Sequence, residues 1–125
     1  MIIVSVSENK NLEKRISITP EIAKKYINLG FEVKLSKNYG KHLGFIEKEY
    51  NEIGVKFIDD DKELLENADI IIQMSLLEEE KISYLKSNQT FIGVLNPFEN
   101  KNKLEELAKK KINLFSLDLL PRITR

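Results

Sequence analysis

The sequence contains no cysteine. That excludes disulfides, thiolate metal sites and cysteine nucleophiles. It contains one histidine and no tryptophan, so a multi-histidine metal centre cannot be assembled. Nor is there a charge of one sign to exploit. Lysine plus arginine and aspartate plus glutamate number 20 each, whereas a nucleic-acid binder is expected to show a basic excess or a basic face. The longest basic run, Lys109 to Lys111, fits the end of a helix. No apolar run approaches the roughly 20 residues of a membrane span, and the opening MIIVSVSENK has neither the basic start nor the long apolar stretch of a signal peptide.

Glycine is scarce in an informative way. Gly30, Gly40, Gly44, Gly54 and Gly93 are the whole set, and no two are spaced as in the phosphate-binding motifs GxGxxG and GxxxxGK[ST]. The turn after the first apolar run is Ser7-Glu8-Asn9-Lys10. It lacks the glycines that let a backbone approach a pyrophosphate, and Glu8 would repel one.

What is present is a regular alternation of short apolar runs and amphipathic stretches. Strands are expected near Ile2–Val6, Phe31–Leu35, Val55–Ile58, Ile70–Met74, Thr90–Leu95 and Ile112–Leu119. Helices are expected between them: one capped by Thr19 with Pro20 at its first position and stopped by Gly30, one carrying Ile46, Tyr50 and Ile53, a short one capped by Asp60 or Asp61, one over Glu78–Leu85, and one over Lys101–Lys111. The order β-α-β-α-β-α-β-α-β-α-β in 125 residues is that of one domain. It implies a three-layer α/β architecture with a mostly parallel, doubly wound sheet, flavodoxin-like or Rossmann-like, without a glycine-rich phosphate loop.

Few residues carry candidate chemistry. His42 lies in a loop without partners at ligand or triad spacing, and reads as solvated. Asp59 to Asp61 and Glu78 to Glu80 read as helix starts. No metal site and no catalytic residue is expected. Arg15, in a polar loop, can clamp a carboxylate through its planar fork, or can pair at the surface with Glu13. Arg122 follows a strongly apolar strand, and strand C-terminal ends face the ligand crevice of open α/β sheets.

Four stretches together resemble one family. RISITPEIAKKYINLGFEV (Arg15 to Val33), GFIEKEYNEIGVKF (Gly44 to Phe57), FIGVLNPFEN (Phe91 to Asn100) and LDLLPRITR (Leu117 to Arg125) are similar to the alanine dehydrogenase and pyridine nucleotide transhydrogenase N-terminal domain, the last two to its transhydrogenase branch. The resemblance implies a substrate pocket with Arg15 as carboxylate clamp. Alanine dehydrogenases add a lysine after the fourth strand and a histidine after the fifth, and the matching positions here are Ser75 and Asn96. Neither can serve as the cationic acid or base of amino-acid oxidation. Arg15, Ser75 and Asn96 would therefore line a vestigial pocket, as suits an enzyme passing hydride directly between two nicotinamides.

By the same resemblance Arg122 would contact the nicotinamide end of NAD(H). The intact protein would hold NAD(H) in a following Rossmann domain, form a homodimer with a second α subunit, and join membrane and NADP(H)-binding subunits on the cytoplasmic side of a membrane, coupling hydride transfer to proton translocation. The chain stops three residues after Arg122, which reads as a shortened chain or a fragmentary gene. No cofactor is then expected on this stretch alone. An alanine or saccharopine dehydrogenase-like enzyme, and a non-catalytic α/β interaction module, are the alternatives.

Overall fold

A computed structural model describes residues 1–9 and 13–117. Six strands form one sheet: β1 (Ile2–Ser5), β2 (Glu32–Ser36), β3 (Lys56–Ile58), β4 (Ile70–Ser75), β5 (Thr90–Val94) and β6 (Asn113–Ser116). Between them run α1 (Pro20–Asn28), α2 (Glu47–Glu52), α3 (Asp61–Glu66), α4 (Glu79–Ile82) and α5 (Lys101–Lys109). Every strand pair is parallel, and the order is β3-β2-β1-β4-β5-β6. This is the Rossmann order rather than the flavodoxin one. The chain leaves β1 toward β2 on one side and returns beside β1 on the other, at β4, so the topological switch point lies between β1 and β4.

The residues explain the elements. Thr19 has an extended backbone and its hydroxyl accepts from Ile22 N at 3.3 Å, with Pro20 behind it; the proline gives up an N–H that had no helical partner. Gly30, at φ +99°, turns the chain out of α1 into β2, in a left-handed conformation that residues with a Cβ resist. Asp60 caps α3 by accepting from Lys62 N, and Asp61 pairs instead with Lys81 at 3.2 Å. The helix expected over Glu78–Leu85 is a single turn, Glu79–Ile82, with Glu78 at its N-cap position and no side-chain capping bond. Ile46, expected on the buried face of α2, stands at its N-cap position and is exposed.

Buried side chains divide between the two faces. Ile3, Val33 and Leu35 form one cluster with Ala23 of α1 and Tyr50 of α2. Val4, Ile71 and Phe91 form another with Leu65 of α3, Ile82 of α4 and Leu107 of α5. Neighbouring residues of β1 thus serve opposite faces, as a strand covered on both sides requires. Among the described residues, no helix is long and apolar enough to cross a membrane.

One irregularity matters for the site. Ile72 of β4 faces Ile92 of β5, but the next aligned pair is Ser75 with Val94. Two residues of β4, Gln73 and Met74, therefore oppose one of β5, Gly93: a β-bulge. Gly93 is there because the strands come close. A Cβ on it would lie 2.7 Å from the Gln73 carbonyl oxygen, a backbone atom that cannot rotate away. Gly93→Ala should lower unfolding free energy by about 1–3 kcal/mol, the usual cost of overpacking, measured by urea denaturation. An unchanged midpoint would show that the bulge tolerates the methyl group.

Candidate functional site

The switch point opens into a cleft of about 450 Å³ at the C-terminal ends of the strands. Its floor is made by residues that follow β1 (Ser7, Glu8), end β4 (Gln73, Ser75) and follow β5 (Asn96), and its walls by the starts of α4 and α5. Residues 6–19 link β1 to α1 where a nucleotide-binding Rossmann unit has a tight glycine turn.

The floor is built around Gln73, 2% exposed in the middle of the sheet. Val6 N–H can only donate, so the Gln73 carbonyl oxygen faces it, at 2.7 Å. The amide nitrogen then donates to Val6 O at 3.0 Å and to Glu8 Oε2 at 2.6 Å. Ser5 Oγ lies 3.0 Å from both Gln73 Oε1 and Tyr39 Oη. A serine hydroxyl has one proton and Gln73 Oε1 can only accept. The set is satisfied when Ser5 donates to Gln73 and the Tyr39 hydroxyl donates to Ser5. Tyr39 in turn accepts from Ser17 N at 3.0 Å and Ile18 N at 3.1 Å. Burial pushes the Tyr39 hydroxyl pKa up, so it stays a donor.

This chain of bonds ends on Glu8. Beyond the Gln73 amide, Met74 N donates to Glu8 Oε2 at 2.9 Å. Ser75 N, at 3.3 Å, and Ser75 Oγ, at 2.9 Å, donate to Oε1. Each carboxylate oxygen therefore receives two donors. The bulge makes this possible by turning consecutive N–H groups of β4 toward the same point.

Burial is the largest influence on the Glu8 carboxyl and raises its pKa above the ordinary 4.5; the bonds from Met74 and Ser75 oppose the rise, and the charge of Glu13 adds to it. Glu13 behaves in the opposite way. The Arg15 side chain donates to it through Nε at 2.9 Å and Nη2 at 2.7 Å, and Arg15 N adds a third bond at 3.0 Å. These bonds lower the Glu13 pKa to about 2.

Of the sequence-derived pocket residues, the structure brings Ser75 and Asn96 into one cleft. Arg15 is not among the lining residues. Its side chain is 72% exposed and committed to Glu13, which is at the cleft margin. Asn96 has φ +46°, a left-handed conformation that asparagine tolerates better than most residues. Its carbonyl accepts from Glu99 N and Asn100 N, both at 3.0 Å, closing the turn that leads into α5. His42 is exposed, as a loop histidine should be, yet its Nε2 lies 2.6 Å from Lys14 O and ties the Arg15 loop to the 3₁₀ turn at 41–43. Arg122 lies outside the described residues. Among the described residues no group of three potential metal ligands occurs.

Glu8 did not stand out as a site residue in the sequence, where it figured only as a charge that repels pyrophosphate. The signal that could have found it was Gln73 itself, a polar residue in the apolar run Ile70–Met74. A buried amide must find partners, and Gln73 has them.

The model of the alanine dehydrogenase/PNT N-terminal domain matches residues 5–125. The chain belongs to this family. A Rickettsia prowazekii protein, named as the first portion of an NAD(P) transhydrogenase alpha subunit, is 33% identical over 129 residues, covering 100% of this chain and 34% of the relative. Alanine dehydrogenase 1 of Staphylococcus aureus is 28% identical over 116 residues, covering 93% of this chain and 31% of that one. A transhydrogenase crystal structure from Sinorhizobium meliloti superposes with a TM-score of 0.91 at 25% identity, covering 99% of this chain and 37% of that one. The chain thus spans about a third of the length of these two curated relatives.

The geometry predicts opposed titrations for two glutamates five residues apart. Glu13, with its lowered pKa, contributes to stability above pH 4.5 and loses that contribution as pH falls toward about 2. The contribution is small for an exposed pair. Glu8, with its raised pKa, has the reverse sign: its ionisation costs stability as pH rises through the window above 4.5. Carboxyl-detected NMR titration should show the Glu8 midpoint above, and the Glu13 midpoint well below, that of an exposed glutamate. Coincident midpoints would contradict both assignments.

Proposed function

We propose that the chain forms the N-terminal domain of the NAD(H)-binding component of a proton-translocating NAD(P) transhydrogenase. That enzyme moves hydride between NAD(H) and NADP(H). In this reading a Rossmann domain outside this chain holds NAD(H), and a second α subunit completes a homodimer. Membrane and NADP(H)-binding subunits supply the rest of the complex, with this domain on the cytoplasmic side.

One observation carries the reading. Ser75 and Asn96 are neutral at the two positions where amino-acid oxidation would need an acid and a base. Glu8 is ionisable, but four donors fill the roughly four lone-pair positions of its carboxylate. Direct hydride transfer between nicotinamides needs no such group. The similarity to the Rickettsia prowazekii subunit over the whole chain supports the same conclusion. The similarity to Staphylococcus aureus alanine dehydrogenase 1 favours an amino-acid dehydrogenase instead. That reading requires Ser75 and Asn96 to be replaced in their roles by residues of another domain.

The test is calorimetric titration of NADH into this chain and into a longer chain that includes the next domain. The 125-residue chain should show no micromolar binding, because it has no glycine loop at a helix start to receive a pyrophosphate. The longer chain should bind, and Arg122→Ala should weaken it roughly tenfold or more, the loss expected of one charge-assisted hydrogen bond. The longer chain should also fail to oxidise L-alanine with NAD. Micromolar binding by the short chain, or alanine turnover by the long one, would refute the proposal.

A further inference from the structure

The arrangement at the end of β4 has the form of an anion receptor. Two successive backbone N–H groups, Met74 and Ser75, converge with the Ser75 hydroxyl and the Gln73 amide on one carboxylate, at 2.9, 3.3, 2.9 and 2.6 Å. Three features show that the cradle is built rather than incidental. The bulge opposite Gly93 supplies the two N–H groups. Gln73 is fixed by its bonds to Ser5 and Val6, so its amide hydrogen has one direction to point. Ser7, next to Glu8, is held by Ser36 Oγ at 2.8 Å, which fixes the backbone from which Glu8 reaches in.

We propose that this cradle is an anion site that the chain fills with its own Glu8, and that Glu8 thereby sets the charge of ligand the cleft accepts. With Glu8 in place, every donor of the cradle is used and a negative charge stands on the floor. Around it, Glu13, Glu78 and Glu99 line the cleft against Lys81 and Lys103. Lys81 is itself engaged by Asp61. At the cradle an incoming carboxylate meets repulsion and no open donor. It must also displace a tethered carboxylate, presented at an effective concentration that a free ion in dilute solution does not reach. The cleft therefore favours a neutral or cationic group. With the Glu8 side chain removed, the same donors would receive a small monocarboxylate, since charge-assisted bonds from fixed N–H groups are the strong kind. The cradle alone carries this, independently of the transhydrogenase assignment.

The experiment uses sodium formate as the probe, with sodium chloride at equal ionic strength as reference, read by thermal unfolding. The unmodified chain should respond identically to the two salts. Glu8→Ala should unfold at lower temperature, and formate should raise its midpoint saturably where chloride does not. Adding Ser75→Ala to Glu8→Ala should weaken the formate response roughly tenfold, the loss of one charged hydrogen bond. Glu8→Gln keeps a side chain of the same size in the cradle and should not respond. If Glu8→Ala is unfolded at the start, formate should restore its folded signal and chloride should not. Equal effects of formate and chloride on Glu8→Ala would overturn the proposal. So would an equal formate response in the unmodified chain or in Glu8→Gln.

Discussion

A buried glutamine amide in the central strand holds this domain's switch point together. Gln73 joins β4 to β1 where the two strands separate toward the cleft. Its oxygen satisfies Val6 N and Ser5, and its nitrogen satisfies Val6 O and Glu8. In a low-dielectric interior each of these bonds polarises the next. The sequence of donors runs from the backbone at Ser17 and Ile18 through Tyr39, Ser5 and Gln73 to Glu8. The loop before α1 and the floor of the cleft therefore belong to one hydrogen-bonded unit. Tyr50, donating to Ile18 O at 2.9 Å, fastens the same loop to α2.

Much of the architecture was legible because it depends on periodicity and punctuation. Thr19-Pro20 and Gly30 bracket α1 as a cap, a first-turn proline and a left-handed stop should. The apolar run at Ile70 announced a strand covered on both faces, and β4 lies inside the sheet. The choice between two doubly wound layouts was not legible, since strand order depends on which crossover passes behind β1, and pattern alone does not encode that. The length of α4 was overestimated: the helix ends at Ile82, which is buried within it, and Leu85 is buried beyond its end.

The site was legible only in part, for a physical reason. Ser75 and Asn96 were found through the family resemblance, which matches them to residues at the ends of the fourth and fifth strands, and those places follow from topology. Arg15 had two readings, a carboxylate clamp and a surface partner of Glu13, and residue type alone does not choose between them; the pair with Glu13, two residues away, is the one that forms. Gln73 hinted at a buried polar partner, but the backbone donors on Glu8 needed knowledge of the bulge. A one-residue shift in pairing decides whether Met74 and Ser75 aim their N–H groups at the sheet or at the cleft, and no residue type in Gln73-Met74-Ser75 marks that shift. Gly93 is the nearest sequence trace of it, explained only once its partner across the ladder is known.

The same geometry gives the cleft its character. A Rossmann sheet offers a crevice at its switch point whether or not a phosphate loop is present. Here the crevice is floored by an acid with every donor matched, and Gln73 and Glu8 act as one unit. A double-mutant cycle of Gln73→Ala and Glu8→Ala, measured by urea unfolding, tests that unit most directly. A coupling energy of about 1–3 kcal/mol is predicted for partners in one hydrogen-bond network. Additivity within about 0.5 kcal/mol, the behaviour of independent sites, would contradict it.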